Sequence, residues 1–66
     1  MFIIIELQAY ADGNVGTLVN TYADRSEAEN KYHLILAAAA VSDVTTHSAI
    51  MMQEDGFVLK SDTYRH

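Results

Sequence analysis

The chain contains no cysteine, no proline and no tryptophan. Without cysteine there are no disulfides and no thiolate metal sites, and nothing indicates an oxidising compartment. Basic residues are also few, because nine acids stand against Arg25, Lys31, Lys60 and Arg65, for a formal net charge of −5. Binding of a DNA or RNA polymer needs a basic stripe that displaces counterions, so this balance argues against it.

Long apolar runs are missing as well. The N-terminal MFIIIEL is too short to span a bilayer and lacks the basic segment that opens a signal peptide, so we expect a cytoplasmic protein without membrane contact. Sixty-six residues make a single domain, 1–66, near the lower limit for independent folding. Half of the residues are hydrophobic, which argues against disorder and favours self-association.

One helix is predicted, over residues 25–41. Asp24 is a good N-cap, and Glu27 three residues later is expected to complete a capping box. The stretch has no glycine or proline and closes on four alanines, the best helix former. On a helical wheel one side is apolar and is predicted to face the core: Ala28, Tyr32, Ile35, Leu36 and Ala39.

Four strands are predicted, over residues 2–10, 16–22, 44–53 and 57–64. Asp-Gly pairs between them predict two hairpin turns, and a phosphate-cradling interpretation of DGNVG is weak because no helix follows it. In the first strand Ile3, Ile5, Leu7 and Ala9 are predicted to face the core, and Phe2, Ile4, Glu6, Gln8 and Tyr10 the other side. The fold class is therefore α+β: a two-layer ββαββ sandwich with one helix packed on a small antiparallel sheet.

The chain has more apolar side chains than this ββαββ layout can bury. The outer side of the helix becomes apolar towards its end, and the predicted interface residues there are Leu34, Ala37, Ala38 and Val41. The uncovered sheet face is expected to add some of Phe2, Ile4, Tyr10, Val19, Met51, Val58 and Tyr64. We therefore expect a homo-oligomer, most simply a two-fold dimer. The alternative is an alanine-rich helix face left in water.

No catalytic or metal site is predicted. The three histidines have no recognised metal spacing: we expect His33 on the surface, His47 hydrogen-bonded on a sheet face, and His66 at a disordered end. No nucleophile motif is present either. We thus expect neither enzymatic activity nor a cofactor. The alternatives are a metal site shared between subunits, and a small hydrolase or isomerase that uses His33 or His47 with a neighbouring acid.

Tyrosines are the more informative residues. A tyrosine ring has a flat apolar face and a polar end, which suits both protein interfaces and stacking on a base. Together with nearby cations, the rings predict a site for a compact anionic ligand between subunits. The predicted ligand-binding residues are Tyr10, Tyr22, Arg25, Lys31, His33, His47 and Tyr64. The alternative is that the tyrosines line the rim of a dimer interface.

Three stretches, YADGNVGTLV, RSEAENKYHLILAAAAVS and HSAIMM, resemble a group of short phage and prophage proteins. The group has an aliphatic strand, a Tyr-x-Asp-Gly turn, an Arg-x-Glu-Ala-Glu-x-Lys-Tyr/Phe-His helix and a His-Ser/Ala-Ala strand. The matching positions are Tyr10, Asp12, Gly13, Arg25, Glu27, Ala28, Glu29, Lys31, Tyr32, His33, His47 and Ala49. The resemblance covers nearly the whole chain, but the acidic tail frequent in the group is replaced by Tyr64-Arg65-His66. The group carries no settled activity.

Small oligomeric phage proteins of this size often act against host defences. By analogy of size and style, the resemblance implies an anti-defence protein of the host cytoplasm, similar to the cyclic-nucleotide sponges, that sequesters a cyclic nucleotide or another small anion. The alternative is a protein-binding inhibitor, or a structural or accessory phage protein, that docks a host or virion protein through its apolar face. An acidic surface fits a partner with a basic groove.

Overall fold

The computed structural model describes residues 1–66 and confirms the α+β class and the ββαββ order. The elements are β1 (Phe2–Ala9), β2 (Val15–Tyr22), α1 (Arg25–Ala40), β3 (Thr46–Gln53) and β4 (Val58–Arg65). All strand pairs are antiparallel, in the order β2-β1-β3-β4, so β1 and β3 are central and β2 and β4 are edges. The helix α1 covers one side of the sheet, and it is not long and apolar enough to cross a bilayer.

The start of α1 is capped by Asp24, whose carboxylate accepts the Ser26 amide at 3.1 Å. The other half of the predicted capping box is wrong, because Glu27 makes no return hydrogen bond to Asp24. The stabilising side-chain pair in the first turn is instead Arg25 with Glu29, one helical turn apart at 3.2 Å. The N-terminus of the helix therefore depends on one capping carboxylate.

The core forms where α1 crosses the two central strands. Helix residues Ala28, Tyr32, Ile35 and Ala39 are buried and Leu36 is half-buried, which confirms the predicted core stripe. This stripe packs on three buried side chains of the sheet, those of Ile4, Ala49 and Met51. Burial and the negative charge of Asp62 both raise the pKa of the Tyr32 phenol.

The face prediction for β1 is wrong by one residue. Ile4 is fully buried beneath α1, so even-numbered side chains of β1 face the helix and odd-numbered ones face away. The polarity of Glu6 led to the wrong assignment. It predicted an outward position, but the Glu6 carboxylate is paired with His47 beneath the helix. Accordingly Phe2, Ile4, Tyr10, Met51 and Tyr64, expected on the uncovered side, lie on the helix side. Val19 and Val58 do lie on the uncovered side.

Each hairpin turns through an Asp-Gly pair, Asp12-Gly13 in the first and Asp55-Gly56 in the second. Each aspartate carboxylate accepts the amide two residues on, at 3.0 and 3.1 Å. Each glycine has a positive φ, 93° and 92°, a region that L side chains rarely adopt. The two turns share one hydrogen-bond pattern, and DGNVG is a hairpin loop without a following helix.

Replacing Gly56 with alanine should lower the free energy of unfolding by about 1–2 kcal/mol, the cost of a left-handed L residue. Nothing lies within 4 Å of the new Cβ, so backbone strain alone causes the loss. The matched control is Gly16→Ala in β2, where the nearest atoms are 3.9 Å away and φ is not positive. We expect this control to be neutral or stabilising by up to about 1 kcal/mol in urea unfolding. Equal stability of the two variants would contradict the prediction.

Candidate functional site

A chain of polar side chains runs along the helix-facing side of β1. The Tyr10 hydroxyl donates to Gln8 Oε1 at 2.6 Å, and Gln8 Nε2 donates to Glu6 Oε2 at 3.0 Å. His47 on β3 lies directly opposite Gln8, and its Nε2–H donates to the same Glu6 oxygen at 2.6 Å. Strand alternation places these side chains on one side, so the network extends from the exposed Tyr10 to the buried His47.

Glu6 and His47 form the only hydrogen-bonded pair of an acid and a histidine beneath the helix, with 13% and 5% of the side chains exposed. Burial by itself raises the pKa of Glu6, but hydrogen bonds from His47 and Gln8 oppose it. The charges of His47 and Lys31 add to these bonds, and the pKa of Glu6 is lowered overall. The expected hydrogen-bonded His47 is found, and its partner is the acid whose environment the sequence leaves open.

The buried pair has limited chemical scope. Because the carboxylate takes the Nε2–H, Nδ1 is the free nitrogen of His47, and it is buried without any hydrogen-bond partner. A histidine oriented by a carboxylate is one part of an acid–base site, but a general base must reach the proton that it abstracts. Nδ1 is enclosed by the core, so this arrangement favours a structural role. Burial of the unpaired Nδ1 also lowers the stability of the fold, because this nitrogen loses its hydrogen bond to water.

The C-terminal residues of the chain contact the last turn of α1. His66 Nε2–H donates to the Ala39 carbonyl at 2.9 Å, and the His66 amide donates to the Thr45 carbonyl at 2.9 Å. The Tyr64 and His66 rings stack, 6.4 Å apart between centroids. The expectation of a disordered His66 is therefore wrong, because the orphan carbonyls at the end of a helix offer it a partner.

The seven predicted ligand-binding residues do not form one cluster within a chain. Tyr10, His47 and Tyr64 lie at the sheet end nearest the C-terminus of α1. Tyr22 and Arg25 lie at the opposite end, about 25 Å away along an eight-residue strand. The remaining two are helix residues: Lys31 is half-buried, and the exposed His33 meets the Tyr32 ring edge-on at 5.6 Å.

Two of the four basic side chains share one acidic partner. Arg25 at 3.2 Å and Lys60 at 3.4 Å both contact Glu29, and the pKa of this carboxyl is lowered, chiefly by the Arg25 hydrogen bond and then by the Lys60 charge. Lys31 and Arg65 make no ion pair within 4.0 Å. These two are therefore the basic side chains without a direct ion-pair partner, although the charge of Lys31 acts on Glu6.

The largest surface without a partner is the side of the sheet opposite α1, here called the open face. Strand register places these side chains on it: Ile3, Ile5, Leu7, Ala9, Val15, Thr17, Val19, Thr21, Thr46, Ser48, Ile50, Met52, Val58, Ser61, Thr63 and Arg65. It carries no acid and a single charge, that of Arg65. All nine acids lie on the helix, in turns and loops, or on the helix-facing side of the sheet.

The side chains of the predicted helix interface are also exposed. Leu34 is 57% and Val41 is 86% exposed, and Ala37 and Ala38 are exposed as well. Leu34, Ala37 and Ala38 lie on the outer side of α1 and Val41 is its C-cap. Their contact with another subunit stays a prediction. An uncovered apolar sheet face was predicted, but most of its residues were assigned wrongly, because the four-residue apolar run FIII does not reveal which side of β1 is inward. The alternating Ile3, Ile5 and Leu7 were the signal that pointed to a continuous apolar face.

Other concave or polar places are less suited to an anion. The only pocket lies between Met1, Phe2, Gln53, Glu54 and Asp55 and is acidic, with the amino terminus bound to Glu54 at 3.3 Å. No three histidine or acidic side chains converge as metal ligands. Comparison of the chain with family models, curated proteins and solved structures found no match. The open face is therefore the surface best suited to binding a partner.

Proposed function

We propose that this chain is a small non-enzymatic binding protein that works as a homo-oligomer, with copies packed open face to open face. The distribution of charge over the sheet is the observation that carries the proposal. In a chain with nine acids, none lies on the open face, and its centre is aliphatic. Such a surface gains more from contact with a second apolar surface than from contact with water.

The area of the open face is sufficient for this contact. Four strands of eight residues cover roughly 20 Å by 26 Å, or about 500 Å². Stacking two faces removes about 1,000 Å² from water, which reaches the lower bound for a specific interface. Ile5 lies at the centre, between Val19 and Ile50 on the neighbouring strands, so the most apolar row would be the most deeply buried.

Analytical ultracentrifugation of the unmodified chain tests self-association. At micromolar concentration we expect a mass of two copies or more, with a folded far-UV circular dichroism spectrum. A folded single copy over this whole range would overturn the proposal.

The oligomer's proposed role is to sequester a small anion of the cyclic-nucleotide class, as an anti-defence phage protein would in the host cytoplasm. Three features at one end of the sheet support this role. Arg65 has no ion-pair partner, Tyr64 is 38% exposed and stacked on His66, and the Tyr10 ring is 43% exposed nearby. At this end of the sheet the tyrosine rings offer a stacking surface on the helix-facing side, and Arg65 offers a guanidinium for a phosphate from the open face.

Replacing Tyr64 with alanine should weaken binding of a cyclic di- or trinucleotide about tenfold, because base stacking contributes about 1–3 kcal/mol. Titration calorimetry with a panel of these nucleotides measures the effect. Phe57→Ala is the control, since Phe57 is also an exposed ring, 63% against 38% for Tyr64, and lies in the turn at the opposite end. Absence of heat with every nucleotide, or equal losses in both variants, would exclude this role.

A second candidate is a protein-binding inhibitor or accessory phage protein that uses the open face for a partner protein. The acidic remainder of the surface favours it, because such a surface complements a basic groove. A monomeric chain that forms a stoichiometric complex with one purified host or virion protein would support this candidate over the oligomer.

A further inference from the structure

We infer that β2 is a second self-contact, pairing antiparallel with β2 of another copy to extend the sheet from four strands to eight. The two sheet edges differ in kind. Strand β4 carries Lys60, Asp62 and Arg65 and has a bulge opposite Met51 and Met52, and both features protect an edge from pairing. Strand β2 has no charge, no proline and no register shift along its eight residues.

Side chains of β2 are also unusually exposed for apolar residues. Val15 is 63% exposed, and Leu18 and Val19 are each 59% exposed. Val15 and Val19 belong to the open face, whereas Leu18 lies on the helix-facing side, directly across from Glu6. An unprotected, uncharged strand with an exposed aliphatic side chain on each side is suited to pairing with another strand rather than to water.

The free backbone groups of β2 can be assigned from its register. In an antiparallel pair, opposite residues alternate between hydrogen-bonded and non-hydrogen-bonded positions. The bond from the Tyr10 amide to the Asn14 carbonyl, at 2.9 Å, sets this alternation, and the β1–β2 register continues it without a shift. It follows that the outward N–H and C=O groups are those of Val15, Thr17, Val19 and Thr21.

One pairing register satisfies all of these outward groups. With Leu18 opposite Leu18 of the second copy, Thr17 faces Val19 and Val15 faces Thr21, and each of these is a hydrogen-bonded pair. The facing residues are β-branched and uncharged, which favours cross-strand packing. The two Leu18 side chains meet on the helix-facing side, where each is exposed in the single chain.

This contact is a closed two-fold, so it ends at two copies and leaves the protected β4 strands at both outer edges. The two-fold axis is perpendicular to the sheet, so the two open faces form one continuous surface. With both contacts, four copies make two stacked eight-stranded sheets. The edge contact rests on the proposed self-association but uses other residues, so the two contacts can fail separately.

A single cysteine tests the register, because the chain has none of its own. In Leu18→Cys the two sulfurs would lie across a non-hydrogen-bonded pair with Cα atoms about 4.5 Å apart, within disulfide range. In the control Asn20→Cys, the two residues are offset by four positions, about 13 Å, too far for a bridge. Mild oxidation should convert most Leu18→Cys into a covalent dimer on a non-reducing gel, while Asn20→Cys stays single. Equal cross-linking of both variants, or of neither, would overturn the inference.

Leu18→Lys tests the β2–β2 contact in solution, through the mass of the assembly. Its side chain is not on the open face, so it places like charges across the proposed seam without entering the face-to-face contact. Sedimentation should show half the mass of the unmodified assembly, with an unchanged circular dichroism spectrum. An unchanged mass would overturn the edge contact alone and leave the proposal for the open face standing.

Discussion

Replacing Ile5 with lysine should separate the face-to-face contact and halve the mass of the assembly at micromolar concentration. Ile5 lies at the centre of the open face, with Val19 and Ile50 on either side, so its ammonium would be buried between two apolar sheets. Burial of an unpaired charge costs several kcal/mol, which weakens association at least 100-fold. Sedimentation velocity over a concentration series measures the change, and circular dichroism checks that the subunit remains folded.

Leu34→Lys is the matched control for Ile5→Lys. It makes the same kind of change, aliphatic to lysine, on the outer side of α1, where Leu34 is 57% exposed. If the open face is the contact, this variant should sediment like the unmodified chain. If Leu34→Lys dissociates the assembly and Ile5→Lys does not, the helix interface predicted at Leu34, Ala37, Ala38 and Val41 is right and the proposal for the open face is wrong.

Replacing His47 with alanine should destabilise the fold by about 3–5 kcal/mol, because the Glu6 carboxylate would remain buried without its partner. A domain of this size has a total stability of only a few kcal/mol, so much of the variant should be unfolded at 25 °C. His33→Ala, an exposed histidine of the helix, should change stability by less than about 0.5 kcal/mol. Urea unfolding followed by circular dichroism measures both.

The double variant Glu6→Leu/His47→Leu separates loss of the pair from loss of packing. Replacement of a buried ion pair by apolar residues is often neutral or stabilising, so the double variant should be more stable than His47→Ala. A double variant as unstable as His47→Ala would show that the shape of the imidazole, rather than the unpaired carboxylate, accounts for the loss.

The same pair predicts how stability depends on pH. The pKa of Glu6 is lowered in the folded protein from its ordinary 4.5, so the unfolded state binds the proton more readily. The contribution of Glu6 is fully present above about pH 4.5 and is lost as the pH falls through the folded-state value. In Glu6→Gln this loss is absent, so its stability should fall less than that of the unmodified chain between pH 5 and the acid limit. If the free energy of unfolding fell equally with pH in the two proteins, this assignment would be wrong.

Local sequence signals were sufficient for the elements of the fold. Helix propensity, the Asp24 cap and the apolar spacing from Ala28 to Ala39 act within a few residues of chain, and they fixed α1 and its buried stripe. The Asp-Gly pairs fixed both hairpin turns, because only glycine readily takes the positive φ at positions 13 and 56. The candidate site was harder to predict, since His47 and Glu6 lie 41 residues apart in the chain.

By itself, then, the sequence determined the two hairpins, the single helix and an excess of apolar side chains over what one copy hides. The tertiary structure decided which side of the sheet holds that excess. The reason is that β1 begins with four apolar residues that fit either side, and the polarity of Glu6 and Gln8 indicated the wrong side as the outward one. The hydrogen bonds from His47 and Gln8 to Glu6 make the helix-facing side acceptable for a carboxylate, and Ile3, Ile5 and Leu7 are thereby left on the open face.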